Sequence, residues 1–104
     1  MSMKKMLREL TDQLYKYNAS LENKVLKSED IEEEEENLKD ILKFQKDLQE
    51  LLLILKKTQT GDLQKDNENL MRLHVILDGF SWYFQNIHKV LMAIIKNYPD
   101  EDND

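Results

Sequence analysis

The chain has 104 residues but no cysteine, one proline, two glycines and one tryptophan. Without cysteine there are no disulfides and no thiolate metal ligands, so a buried core has to supply the stability; this absence fits a reducing compartment. Scarce glycine and proline leave strands almost nowhere to turn. With abundant Leu, Lys, Glu and Asp, they give the composition of helical bundles and coiled coils. Long apolar runs are missing too: the tightest, Leu51 to Leu55, is far short of the roughly 20 residues that span a bilayer. The longer apolar region after it is interrupted by Gln85, Asn86, His88 and Lys89, so no transmembrane helix is expected. The start, Met1-Ser2-Met3-Lys4-Lys5-Met6, is positive but lacks the apolar stretch of a signal peptide, and a cytoplasmic or intracellular protein is expected.

This length suits one domain with a modest core. The apolar pattern lapses at Leu26-Lys27-Ser28-Glu29-Asp30, where Ser28 or Asp30 can cap a helix and Asp30 with Glu33 has capping-box spacing. Thr60-Gly61-Asp62 is a stronger break: Gly61 can adopt the left-handed conformation that closes a helix, and Asp62 can accept from the first free amides of the next. Pro99 ends the last helix because the residue before a proline leaves helical geometry. The expected domain is therefore an all-α bundle over residues 1–99, with helices at about 3–27, 30–59 and 63–98 in up-down-up antiparallel order and coiled-coil character. Residues 100–104 form an acidic tail with nothing to bury, expected to be disordered. Two other layouts compete. Residues 1–60 lack glycine and proline and could form one rod of a two-helix hairpin, although the stretch 28–37 offers only Ile31 to a continuous seam. A break near Asp78-Gly79 would instead give four helices; smooth helical phase from Leu73 to Phe80 and from Leu77 to Phe84 favours a continuous helix in which Gly79 admits a close neighbour.

Heptad spacing picks out the seams. Met3, Leu7, Leu10, Leu14, Tyr17 and Leu21 mark the first helix, extended by Val25 and Leu26. Leu38, Ile41, Leu42, Leu48, Leu51, Leu52 and Leu55 mark the second. In the third, Leu63, Leu70, Leu77, Phe84, Leu91 and Tyr98 recur every seven residues, with Leu73, Phe80, Ile87 and Ile94 between them. Charge falls unevenly: residues 1–27 carry six basic and three acidic groups, 28–61 five and ten, 62–104 four and eight. The up-down-up order would bring Lys4, Lys5, Arg8, Lys56 and Lys57 near Asp62, Asp66 and Glu68, and exposed pairs of this kind are worth about 0–1 kcal/mol each.

At about 1.5 Å per residue the helices measure about 37, 45 and 54 Å, so the third overhangs the first by more than two turns. If the two start level, the overhang falls at Ile87 to Tyr98 and its apolar groups need another cover. The stretch 70–98 holds eighteen apolar or aromatic residues, more than one core-facing stripe uses. Phe80, Trp82, Tyr83, Phe84, Ile87, Val90, Leu91, Met92, Ile94 and Ile95 are therefore the candidate partner or oligomer interface. Trp and Tyr are common binding hot spots, and methionine adapts to imperfect partners.

No catalytic constellation stands out. His74 and His88 are fourteen residues apart, about 21 Å along a helix, and Met71 and Gln85 occupy the places where a Glu-x-x-His di-iron motif needs glutamate. The run Glu32 to Glu36 spreads around a whole helix and reads as a solvated first turn. Glu33 and Glu36 resemble one acidic pair of an all-helical, metal-dependent nucleotide hydrolase, but Met71 stands where the partner of Glu68 is needed. No metal, cofactor or catalytic residue is assigned, and net charge −6 disfavours nucleic-acid binding. The expectation is a non-enzymatic interaction module, an assembly subunit, small chaperone, adaptor or regulator, that forms a homodimer and binds a partner or client helix through the third helix. The second reading is an acidic inhibitor or nucleic-acid mimic that blocks another protein.

Overall fold

A computed structural model describes residues 2–57 and 61–99: three helices, α1 (Met3–Ser20), α2 (Ser28–Lys57) and α3 (Leu63–Asn97), and no strand among these residues. The expected tail, 100–104, lies outside the described residues, as do residues 58 and 59, expected to complete the second helix, and Thr60 of the expected break. The molecule is a rod of 66 × 25 × 21 Å with a radius of gyration of 18.5 Å. A compact domain of this length would have a radius near 13 Å.

Helix α1 starts where Ser2 accepts the Lys5 amide (3.2 Å) and stops seven residues before the expected Lys27. The buried side chain of Asn18 explains the stop. Its Oδ1 accepts from the amides of Val25 (3.0 Å) and Leu26 (2.9 Å), and its Nδ2 donates to the Leu26 carbonyl (3.0 Å). One amide thus supplies the returning chain with three bonds that a continued helix would have made from its own backbone. Residues 21–27 become a corner whose Leu21 and Leu26 are buried, which removes the single-rod layout. Helix α2 begins at Ser28, two residues before the expected start. Lys27 supplies the carbonyl that accepts Ile31 N, and Asp30 reaches back to the Lys27 amide (2.8 Å), so Asp30 is the third residue of the helix rather than its cap.

The second break forms as expected. Gly61 has φ +66°, and Asp62 caps α3 by accepting from Gln64 N and Lys65 N. Tyr98 turns extended before Pro99 and closes α3 at Asn97. Helix α3 runs unbroken through Gly79, so the four-helix layout is not formed. A Cβ at Gly79 would sit 2.8 Å from the Phe44 ring, which is the close approach between α2 and α3 that a missing side chain permits.

Asn86 binds Glu34 and Gly79 meets Phe44, so α2 and α3 run antiparallel. Arg8 binds Glu35, and Tyr17 near the end of α1 packs edge-on against Tyr98 at the end of α3, with ring centres 5.7 Å apart. These pairings fit an up-down-up course. They also correct the alignment: α1 and α3 finish level instead of starting level. The uncovered end is therefore the beginning of α3 with the end of α2, not Ile87 to Tyr98. The expected grouping of Arg8 with the acidic start of α3 fails for the same reason, since Arg8 lies beside the first half of α2.

The main core joins Leu7, Leu14 and Leu21 of α1 and its corner to Leu38, Ile41, Tyr83, Ile87 and Ile94, with Phe44 and Phe80 at its lower edge. Beyond that edge, residues 45–57 and 63–79 form a two-helix hairpin that buries Leu51 and Ile76. Three seams differ from the expected ones. The inward row of α1 is Leu7, Thr11, Leu14, Asn18 and Leu21, leaving Leu10 and Tyr17 exposed. On α2, Leu52 lies outside. On α3 the inward row is Leu73, Ile76, Phe80, Tyr83, Ile87, Val90 and Ile94, a regular three-four alternation. The seven-residue row Leu63, Leu70, Leu77, Phe84, Leu91 and Tyr98 is on the surface from end to end, 38–78% exposed.

Candidate interaction surface

The ten candidate interface residues separate into two sets. Tyr83, Ile87 and Ile94 are buried in the chain's own core, and Phe80 and Val90 are partly buried against it, so these five face inward. The reason is phase: with α1 and α2 both on one side of α3, the 73/80/87/94 and 76/83/90 rows become its inner stripe. Trp82, Phe84, Leu91, Met92 and Ile95 remain exposed. Trp82 stands on the α2 side, sharing a small recess with Phe44 and Gly79, whereas Leu91 and Ile95 lie on the α1 side.

On that α1 side a shallow groove of about 520 Å³ is walled by Tyr17, Leu91, Ile94, Ile95, Tyr98 and Pro99. Met6 and Leu10, both exposed, precede Tyr17 by eleven and seven residues and so share its face of α1. The seven-residue row of α3 continues the groove downward through Phe84 and Leu77 to Leu70, past the beginning of α1. Sequence spacing showed this row. Its place outside the core was not visible, because the choice between adjacent heptad rows depends on where the neighbouring helices pack.

Buried polar residues of α1 and α2 form a layer inside the bundle. Thr11 and Asn18 are 1–2% exposed, and Glu34 and Asn37 are also buried. Thr11 donates to the Leu7 carbonyl (2.8 Å), and Asn86 Nδ2 donates to Glu34 Oε1 (2.7 Å). Tyr15 Oη lies beside Glu35, Tyr83 Oη beside Thr11, and Glu34 beside Asn37, but Tyr15 Oη, Tyr83 Oη, Glu34 Oε2 and Asn37 Nδ2 reach no hydrogen-bond geometry. Burial raises both phenols above their usual range. Burial likewise raises the Glu34 carboxyl, against the opposing pull of Asn86. Glu35, next in sequence, faces α1 and takes both Arg8 nitrogens at 2.8 Å; that hydrogen bonding holds its carboxyl below the usual range. The glutamate run is thus not one solvated turn, because positions 34 and 35 are claimed by α3 and α1 respectively. Glu32, Glu33 and Glu36 remain exposed.

Compared with protein families, with curated proteins and with solved structures, the chain has no match. Chemistry must therefore be judged from the side chains themselves. His74 pairs with Asp78 on an exposed face (3.3 Å), His88 is exposed, and no cluster of three or more metal-ligating groups occurs among the described residues. No helix among them is long and apolar enough to cross a membrane. The extensive exposed feature is apolar, and it follows α3.

Proposed function

We propose that the chain is a non-enzymatic interaction module that self-associates and takes an amphipathic helix of a protein partner against the exposed flank of α3. The observation that carries this reading is the surface position of the row from Leu63 to Tyr98, joined at its upper end by Met6, Leu10 and Tyr17. A regular seven-residue apolar row is the pattern one helix offers another, and helix-in-groove recognition uses anchors at this spacing. Contiguous apolar surface of this extent marks an interaction site. Soluble monomers seldom leave so much of it open.

Photo-crosslinking tests the reading. A crosslinking residue placed at Leu91 or Ile95 in the native host should give discrete protein adducts, and one placed at Glu36 on the polar face should not. Leu91→Lys with Ile95→Lys should abolish the adducts while helical content stays unchanged, and Glu33→Gln, Glu36→Gln, His74→Ala and His88→Ala should leave them intact. Equal yields from both faces, or no adduct from any row position, would overturn the proposal.

A further inference from the structure

We infer that the partner on the lower half of the row is a second copy of this chain, docked antiparallel so that Leu70 and Leu77 of one copy meet Leu77 and Leu70 of the other and Leu63 meets Phe84. This rests on reading the row as an interface, and three features of the molecule select the occupant. The first is a vacant place. Below the start of α1, the groove between α2 and α3 lacks the third helix that covers it above, and Leu52, Leu53, Leu70 and Leu77 stand exposed around it. The second is self-complementarity. A row with one constant spacing matches its own inverse, and the two-fold dimer is the commonest closed assembly.

The third feature, charge, fixes where the two copies overlap. Residues 43–79 carry six basic and six acidic groups, so the entire net charge of −6 belongs to residues 1–42 and 80–104. Overlap centred between Leu70 and Leu77 joins the two neutral halves and sends the acidic halves to opposite ends. Glu34 is level with Asn86, about twelve residues from that centre, so the two glutamate runs lie about 38 Å apart along the rod. This is several Debye lengths at physiological salt. Overlap along the full row, Leu63 on Tyr98, would bring them to about 17 Å. In the hairpin-centred register no charged residue of α3 falls opposite another: Asp66 meets Ser81, Arg72 meets Val75 and Asp78 meets Asn69. The result is a four-helix bundle made from two hairpins, with one α1 at each end. The α1–α3 groove around Leu91 stays open for the other partner.

The absence of native cysteine makes the register directly measurable. Sedimentation equilibrium should give twice the 12.5 kDa chain mass at micromolar concentration. Leu70→Lys with Leu77→Lys should weaken association about 100-fold or more while the circular dichroism spectrum is retained, since both side chains are exposed in the single chain. A mixture of Leu70→Cys chains with Leu77→Cys chains should be joined by a short bismaleimide, and neither variant alone should be. A dimer that crosslinks instead through Leu91→Cys, or through either single variant alone, overturns this arrangement and leaves the row as an interface. A chain that is monomeric up to high micromolar concentration overturns the second copy as occupant. If such a chain still gives the Leu91 and Ile95 adducts described above, the partner reading stands; if it gives none, both fall.

Discussion

The two halves of the rod show what a third helix contributes. In the upper half, α1 closes over α2 and α3, and the enclosed space is large enough to hold both a leucine-rich core and a layer of buried polar groups. The lower half uses the same kinds of residues at the same spacing. There, among the described residues, two helices bury only Leu51 and Ile76, and Leu52, Leu53, Leu70, Met71, Val75 and Leu77 remain exposed. Apolar patterning alone thus does not establish burial; a covering element does. The polar layer sits in the half that can surround it, whereas among the described residues the lower half buries only apolar ones.

The sharpest test of this contrast uses two leucines that are equally hidden, Leu38 at 1% and Leu51 at 0% exposure. Leu→Ala costs range over about 2–5 kcal/mol according to how far the site can collapse. In the single chain Leu38 is held by three helices and Leu51 by two, so in urea unfolding of the Leu70→Lys, Leu77→Lys chain, Leu38→Ala should cost about 4 kcal/mol and Leu51→Ala about 2 kcal/mol. Equal costs would mean that the hairpin is as rigid as the bundle. Next in size is Asn18→Leu, which strands the Val25 and Leu26 amides and the Leu26 carbonyl in a buried corner. A loss of about 3 kcal/mol is expected, with faster hydrogen exchange at residues 21–27 and none at the hairpin.

Gly79 lies near the boundary between the halves. Gly79→Ala adds about 1 kcal/mol of helix propensity but drives a methyl group against the Phe44 ring. Overpacking costs about 1–3 kcal/mol, so a net loss of about 1 kcal/mol is expected. In the Phe44→Leu background the same change should become stabilising, a coupling that a double-mutant cycle reads directly.

The smallest effects concern Glu34 and Glu35, whose signs should be opposite. Burial raises the folded-state value of Glu34, so its ionisation opposes folding: the penalty is absent below the ordinary carboxylate range and grows as pH rises through the raised value. Glu34→Gln should stabilise by less than about 1 kcal/mol at pH 7, keep the bond from Asn86, and confer nothing below about pH 4. Glu35 is held down by Arg8, so its contribution is present above the ordinary range and lost as pH falls through the lowered value. Glu35→Gln should cost up to about 1 kcal/mol at pH 7, discounted because the pair is partly exposed, and nothing in strong acid. Thermal unfolding from pH 3 to pH 7 checks both.

Much of this was legible in the residues. The helical class, the turn at Gly61-Asp62 and the stop at Pro99 follow from local backbone preferences, which act within a few residues; the passage through Gly79 stood open between a continuous helix and a break, and helical phase favoured the continuous one. The end of α1 did not. Asn18 breaks no local rule strongly; it ends the helix because residues seven and eight positions later fold back onto its amide. Thr11 and Asn18 did leave a trace, since 7, 11, 14, 18 and 21 step by fours and threes as regularly as the leucine series does. Choosing that row required accepting two polar residues in a core.

The sequence by itself determined the all-helical class, its apolar abundance and the seven-residue row on α3, because these depend on helix period, capping and the conformational limits of glycine and proline. Tertiary structure alone decided that α1 and α3 end together, that Glu34 turns inward while Glu35 binds α1, and that the row from Leu63 to Tyr98 faces outward. A heptad pattern is equally satisfied by either of two adjacent rows on one helix. What separates them is the position of the neighbouring helices, and that is fixed by contacts between residues as far apart as Glu34 and Asn86.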